Sequence, residues 1–309
     1  MPSSTAAPQT RPPPCPGTCF VRHRPPSPAL PPPKLERKLC GRPGPSVFPP
    51  VKGGNMNRTL CFLYGLVCYG IFFGVFLYSI GFVGNFLVPR TIDGPPQLST
   101  GAALAVNLGL LSLFAIQHSV MARPSFKHWW MQFVPKPIER STYVLASSVA
   151  MILIFMFWQP FGGMVWSVEG DGARIALFTL YGLGWTTVLV STFLINHFDL
   201  FGLRQTWLHF RGREYRELPF RETGPYRMVR HPLYVGWIMV FWFTPTMSVP
   251  HLLFAVVTTA YILVAIQLEE RNLVDALPEY SEYRARVPML VPISRRDRSS
   301  ARRTPVESA

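Results

Sequence analysis

Five stretches of this chain contain no Asp, Glu, Lys or Arg: residues 59–89, 94–122, 141–168, 175–198 and 231–268. They are 31, 29, 28, 24 and 38 residues long. A helix needs about 20 predominantly apolar residues to cross the roughly 30 Å hydrocarbon core of a bilayer. Lipid offers no water to satisfy backbone amides and carbonyls, so such spans fold as helices. Over the whole chain 49% of residues are hydrophobic and 15% are charged, against about a quarter charged in a soluble domain. A purely soluble protein is excluded, and the expected class is an all-α polytopic membrane protein.

The last run is too long for one span. As a single helix it would measure about 57 Å at 1.5 Å per residue. Thr244, Pro245, Ser248 and Pro250 stand at its middle, where proline removes an amide and obstructs the helix. The spacing predicts a hairpin with its tip at Met247–Pro250 and two legs of about 17 to 20 residues. The expected architecture is a bundle of five to six transmembrane helices, the last two forming this hairpin and the fifth short or tilted.

Net charge is +14, a value that raises nucleic-acid binding in a soluble chain. Here it lies mostly at the ends. Residues 1–55 hold eight Lys/Arg and one acid, and residues 294–309 hold five and two, which leaves 17 basic and 13 acidic residues between them. No nucleic-acid partner is expected. Residues 1–55 also carry 16 of the 32 prolines. Without an apolar stretch they form neither a packed core nor a secretory signal, and are expected to be a disordered Pro-rich segment. The membrane-like pattern begins abruptly at Met56, which is the expected start of translation; detection of residues 1–55 by intact-mass measurement of the native protein would refute this. Residues 56–293 are then the membrane domain and 294–309 a disordered basic tail.

The five cysteines form no CxxC pair, so neither a disulfide framework nor a zinc site is expected, and no metal. Cys61 and Cys68, seven apart on one helix face, read as small core residues. No internal repeat supports an inverted-repeat transporter.

Orientation follows from basic residues in short loops, which favour the cytoplasm. Arg123, Lys127, Lys136 and Arg140 separate the second and third runs. Arg204, Arg211, Arg213, Arg216, Arg221, Arg227 and Arg230 separate the fourth and fifth, while the opposite face shows Arg90 and Arg174. Both termini and the loop 203–230 are expected in the cytoplasm.

With that topology, four separate segments bring polar residues to the cytoplasmic end: Gln117 and His118, then Asn196, His197 and Asp199, then Arg230 and His231, then Glu269 and Glu270. A single histidine near a helix end is ordinarily a packed or interfacial residue, and loop arginines ordinarily set topology. Convergence of ionisable groups at membrane level is costly and marks function. Pro232 suits a first helical turn, so a helix is expected to start after His231. Its free amides, with Arg227, Arg230 and His231 beside them, suit a carboxylate or phosphate. Glu269 and Glu270 are expected at a helix end, where the macrodipole disfavours anions; Arg271 or a ligand must compensate them. S-adenosylmethionine would suit both halves, offering a carboxylate to one and an amine, ribose hydroxyls and a sulfonium to the other. Tyr226, Tyr234 and Trp237 add faces for cation–π contact. A phosphate-bearing ligand would suit the basic half equally well.

The segments GPYRMVRHPLYVGW (224–237), LEERNL (268–273) and EYSEYRARVPMLVP (279–292) resemble the carboxy-terminal cofactor module of membrane methyltransferases, among them the isoprenylcysteine carboxyl methyltransferases and phospholipid methyltransferases. FLYSIGFVGNFLVPRTIDGPP (76–96), QHSVMARPSFKHWW (117–130), PIERSTYVL (137–145) and NHFDLFGLRQ (196–205) are similar to the nurim and NnrU-like group, and within it to the bacterial methanethiol S-methyltransferases. The likeness spans residues 56–293, with a cofactor module at 203–293. It implies adenosylmethionine contacts from Tyr226, Arg230, His231, Tyr234, Glu269 and Glu270, and substrate-side roles for Gln117, His118, Asn196 and His197. It also implies a multi-pass protein of the bacterial inner membrane.

The reaction so implied is attack by the sulfur of a small volatile thiol on the sulfonium methyl. A free thiol with a pKa of about 8.5, as in cysteine, is mostly protonated at neutral pH. His118 or His197 would accept its proton, oriented by Asn196 or Gln117. Two other readings stand beside it: a haem protein or isomerase of the NnrU-like kind with His118 and His197 as axial ligands, and a methyltransferase for another thiol or a lipid acceptor. Oligomeric state is not legible.

Overall fold

The computed structural model describes residues 57–218 and 222–292, so the expectations for segments 1–55 and 294–309, and for Met56, lie outside the described residues. In chain order the elements are α1 (Arg58–Gly84), α2 (Thr100–Ala122), α3 (Pro124–Trp130), α4 (Glu139–Phe157), β1 (Met164–Ser167), α5 (Asp171–Ile195), α6 (His197–Leu200), α7 (Leu203–Phe210), α8 (Pro232–Trp242), β2 (Thr246–Ser248), α9 (Val249–Ala276) and α10 (Pro278–Arg286). Five helices, α1, α2, α4, α5 and α9, are long and apolar enough to cross a membrane. The protein is an all-α polytopic membrane protein.

The hairpin of the fifth charge-free run forms, but its legs are unequal: α8 has 11 residues and α9 has 28. Legs of about 17 to 20 residues were expected, the fifth helix short or tilted, and α8 is that short helix. Pro245 cannot continue α8, and it biases Thr244 towards extended backbone. The chain therefore leaves the helix after Trp242 and runs as β2, pairing antiparallel with β1 (Met164 opposite Ser248, Ser167 opposite Thr246). Ser248 then caps α9, its hydroxyl accepting the His251 amide at 3.2 Å, with Pro250 in the first turn. At about 16 Å, α8 alone is too short to span the bilayer core. It packs chiefly along α5.

Side chains at 82, 155, 158, 185, 241, 254 and 266 form the core between the helices, and Cys61 and Cys68 are buried free thiols. The outward faces are apolar as well: Leu63, Val67, Phe73 and Leu77 on α1 and Leu113, Ile116 and Val120 on α2 are exposed. That surface suits lipid, and in water it would be a large association-prone patch. Some buried polar groups inside the bundle are satisfied reciprocally. Asn107 on α2 is fully buried, donating to the Gln159 carbonyl and accepting from its amide, both at 2.8 Å.

α1 and α4 run parallel, since Tyr64 meets Thr142 and Tyr78 meets Phe155. α5 runs against α1, Tyr181 reaching Ile80 and His197 reaching Tyr69. The start of α1, the end of α2, the start of α4, the end of α5 and the start of α8 thus share one end. It is the end that carries the basic loops.

Candidate functional site

Arg230 and His231 sit directly before α8. Their amides donate to the carbonyls of Pro288 and Met289, at 2.9 and 3.2 Å. The helix does begin after His231, as expected, but the carboxy-terminal segment already occupies the two amides immediately preceding it. Both side chains turn to Glu270, with Arg230 Nε at 2.6 Å and His231 Nε2 at 3.0 Å from Oε1. Arg284 Nε lies 3.1 Å from Oε2. Arg230 also donates to the carbonyls of Arg284 and Val287.

Glu270 is 1% exposed, and a carboxylate so buried requires this much compensation. The helix entrance and the two glutamates therefore meet directly rather than across a cavity. Two expectations are corrected. α9 continues to Ala276, because the charged turn after Leu268 stays helical beyond the apolar span, so Glu269 and Glu270 do not lie at a helix end. The partners of Glu270 are Arg230, His231 and Arg284, not Arg271.

Beside this closed strap stand groups with bonding capacity left. Glu269 is exposed and accepts the Tyr234 hydroxyl at 2.9 Å. The Tyr226 hydroxyl and Thr223 Oγ1 are buried without a hydrogen-bond partner. Burial, then the charge of Glu269, pushes the pKa of Tyr226 above the ordinary phenol value, so its phenol remains a donor. Tyr283, pushed up to about 12 chiefly by burial, holds the Tyr226 carbonyl at 2.6 Å. A carboxylate for an amine, hydroxyl or sulfonium, flanked by two phenols, fits the cationic and ribose portions of S-adenosylmethionine. Trp237 packs on Trp185 and Phe241 in the core.

His118, in the last turns of α2, is sandwiched between helices. Its ring stacks on Phe114 at 5.3 Å. Tyr143 Oη lies 3.0 Å from the ring nitrogens, and Ser147 Oγ lies 3.2 Å from Nδ1. The next residue, Ser119, meets Tyr261 of α9 at 3.0 Å. His118 with Tyr143, Ser119 with Tyr261, and Tyr234 with Glu269 are three separate hydrogen-bonded pairs. Gln117 donates to Met121 Sδ at 3.2 Å, and its Oε1 is buried without a partner.

The structure does not bring His197 into this group. Its Nδ1 meets Thr192 Oγ1 and its Nε2 meets Tyr69 Oη, both at 2.8 Å, and its ring stacks on Phe193 at 4.3 Å. With both nitrogens engaged, neither is free for iron, and it shares no hydrogen-bond partner with His118. Asn196, at φ 126°, caps α6 by accepting the Asp199 amide. Asp199 in turn holds Arg204 at 2.8 Å and the Tyr215 hydroxyl at 3.2 Å. These residues build a corner among α1, α5 and α7.

Sequence reasoning passed over Tyr143, Tyr261 and Ser119. The one available signal was Tyr143 and Ser147 at i, i+4 spacing near the start of a membrane helix, both on one face. Elsewhere, an apolar cavity of about 330 Å³ between α1 and α4 is lined by Gly74, Tyr78, Arg90 and Phe155 among others; it lies towards the opposite end and holds none of the chemistry above.

No family model matches the chain, and no solved structure matches it. Among curated proteins, it is 54% identical over 238 residues to a methanethiol S-methyltransferase of Crocosphaera subtropica, covering 77% of this chain and 93% of that protein. It is 52% identical to one of Mycobacterium tuberculosis, covering 77% and 98%. Nurim of Sus scrofa is 29% identical over 179 residues, covering 55% and 68%.

Proposed function

Since the chain belongs to the methanethiol S-methyltransferase family and is a methyltransferase, we propose that it methylates methanethiol to dimethyl sulfide, with S-adenosylmethionine as donor, at the cytoplasmic face of a bacterial inner membrane. The observation that carries this reading is the Tyr234–Glu269 pair standing beside the unpartnered Tyr226 hydroxyl. It supplies spare bonding groups from the carboxy-terminal motif at the end of the bundle where α2 also ends with His118.

S-adenosylmethionine, when bound, supplies an electrophilic methyl group on a sulfonium sulfur. Glu269 and the hydroxyls of Tyr226 and Tyr234 would hold its cationic and ribose groups. The strap of Arg230, His231 and Glu270 fixes α8 against α9, which keeps Tyr234 and Glu269 at bonding distance. His118 accepts the thiol proton, and Ser147 and Tyr143 fix its ring. The unpartnered Gln117 Oε1 is the nearest spare acceptor in sequence. Phe114 and the facing helices keep water from the reacting pair and hold it close. His197 and Asn196 we assign to the α5–α6 corner, as packing residues.

The cytoplasmic placement is supported by the basic loops at the end where these groups lie. The test is headspace chromatography of the full chain purified in detergent, given methanethiol with and without S-adenosylmethionine. Dimethyl sulfide is expected only when both are present; its absence, or a Soret band with no methyl transfer, would overturn the reading. Transfer to a larger thiol or to a lipid in preference to methanethiol would overturn the choice of acceptor.

A further inference from the structure

We propose that the cleft between α1 and α4 is a lipid site, in which one acyl chain of an anionic phospholipid lies between the helices and its phosphodiester rests on Arg90. The cleft holds about 330 Å³, within the range of roughly 300–1,000 Å³ typical of small-ligand pockets. α1 supplies Ile71, Gly74, Val75 and Tyr78, and α4 faces them with Ile152 and Met156. The four α1 positions follow i, i+3, i+4, i+7 spacing and so share one face, about 10 Å long at 1.5 Å per residue. Gly74 keeps the cleft open: a Cβ there would meet nothing within 4 Å, and the same holds at Gly70, one turn away on that face. Phe73, Leu77 and Met156 around the rim are exposed, so the cleft opens onto the surface that meets lipid. An unfilled apolar cleft forfeits dispersion contacts, which a hydrocarbon chain restores.

Charge selects the headgroup. Arg90 stands at the mouth of the cleft, at the end of the bundle away from the basic loops. Its Nη1 donates to the Met156 carbonyl at 2.7 Å, and the Tyr78 hydroxyl donates to the Arg90 carbonyl at 3.2 Å. Both contacts tie the arginine to the two walls. Among the described residues no carboxylate lies within ion-pair distance of it. A guanidinium has five N–H donors, so most of this exposed fork is free for phosphate oxygens, whose geometry it matches. Asp93, the nearest acid in the sequence, is already engaged: Asn85 donates to Oδ2 at 2.7 Å, and the Ser248 hydroxyl donates to Oδ1. The mouth therefore offers a cation without an open carboxylate beside it. A net-negative headgroup is matched there, whereas the ammonium of a zwitterionic one finds no partner. A basic residue at the end of a span ordinarily only reaches for the interface; Arg90 is instead held over an apolar slot. None of these residues takes part in the reaction proposed above.

The test is photo-crosslinking of the full chain in phosphatidylcholine nanodiscs, with a trace of phosphatidylglycerol that carries a diazirine on one acyl chain. Label is expected on the peptides holding Ile71 to Tyr78 and Ile152 to Met156. Excess unlabelled phosphatidylglycerol should remove it, and extra phosphatidylcholine or inorganic phosphate should not. Arg90→Gln, which keeps a donor and loses the charge, should lower this label about fivefold, the attraction of one basic side chain for an anionic lipid. Gly74→Leu places a side chain in the cleft and should abolish it. Label at the basic loops should persist in both variants and reports that they have folded. Absence of label from both α1 and α4 in the wild type overturns the site. Equal competition by phosphatidylcholine overturns the choice of an anionic lipid, and competition by inorganic phosphate overturns the choice of a lipid. Label that survives Gly74→Leu overturns the seat of the chain, and label indifferent to Arg90→Gln overturns the role of Arg90. If a variant does not fold, label position and competition in the wild type still decide.

Discussion

Two histidines with the same sequence signature receive different surroundings. His118 and His197 both lie next to an amide residue at the end of a charge-free run, yet His118 bonds Tyr143 and Ser147 of α4 while His197 bonds Thr192 and Tyr69. His118→Ala should therefore cut turnover by about 10²-fold to 10⁴-fold with S-adenosylmethionine affinity retained in a titration. His197→Gln should leave turnover per folded molecule near wild type. His197 has a different consequence, for stability against pH. Burial in its aromatic corner lowers its affinity for protons below the ordinary histidine value of 6.5. The unfolded chain then binds the proton more readily than the fold, so protonation favours unfolding. Stability from this residue is whole above pH 6.5 and declines as pH falls below that value. The thermal midpoint should drop on acidification below about pH 6, and less steeply in His197→Gln. Residue types alone did not separate the two histidines, because what distinguishes them is which tyrosine another helix delivers: Tyr143 in one case, Tyr69 in the other. A tyrosine in a membrane segment ordinarily reads as an interfacial anchor, and its functional meaning appears only when two helices meet.

Between elements, the fixed point is the crossing of α5 and α8. Gly184 and Gly236 face each other there, and a Cβ on Gly236 would stand 2.8 Å from both the Gly184 carbonyl and the Val188 amide. Backbone cannot give way as a side-chain tip can, so Gly236→Ala should push α8 off α5. A loss of about 1–3 kcal/mol is expected from overpacking, read as a lower thermal midpoint, with weaker cofactor binding because α8 carries Tyr234. The partner constraint is the strap. Removing the Glu270 carboxylate leaves Arg230 buried without its partner, so Glu270→Ala should cost about 3–5 kcal/mol, more than the same change at exposed Glu269. The latter should instead weaken S-adenosylmethionine binding in a titration while the thermal midpoint holds. The hairpin itself was legible from Thr244, Pro245, Ser248 and Pro250, since proline chemistry is local. Its unequal legs were not, because β2 exists only through pairing with β1, some 80 residues earlier, and the helical turn carrying Glu269 and Glu270 has no breaker to end it before Pro278.

At the level of the whole molecule, the spans were legible because lipid leaves a chain so few choices: charge-free runs of sufficient length become helices. How the runs pack was not, since outward and inward faces are both apolar, as exposed Leu63 and buried Phe82 on the same helix illustrate. Membrane orientation is the property that ties site to compartment, and the basic loops fix its expected sense. Met164 and Val165 of β1 are exposed at one end, and Arg213 belongs to the basic loop at the other. In a background without native cysteines, Arg213→Cys should resist a membrane-impermeant maleimide in intact cells and react once the membrane is opened, whereas Val165→Cys should react from outside. The reverse pattern would put Glu269 on the side that holds no S-adenosylmethionine. The cofactor assignment would then fail together with the orientation, because a donor made in the cytoplasm must reach the carboxylate from the cytoplasmic side, and no described segment carries it across.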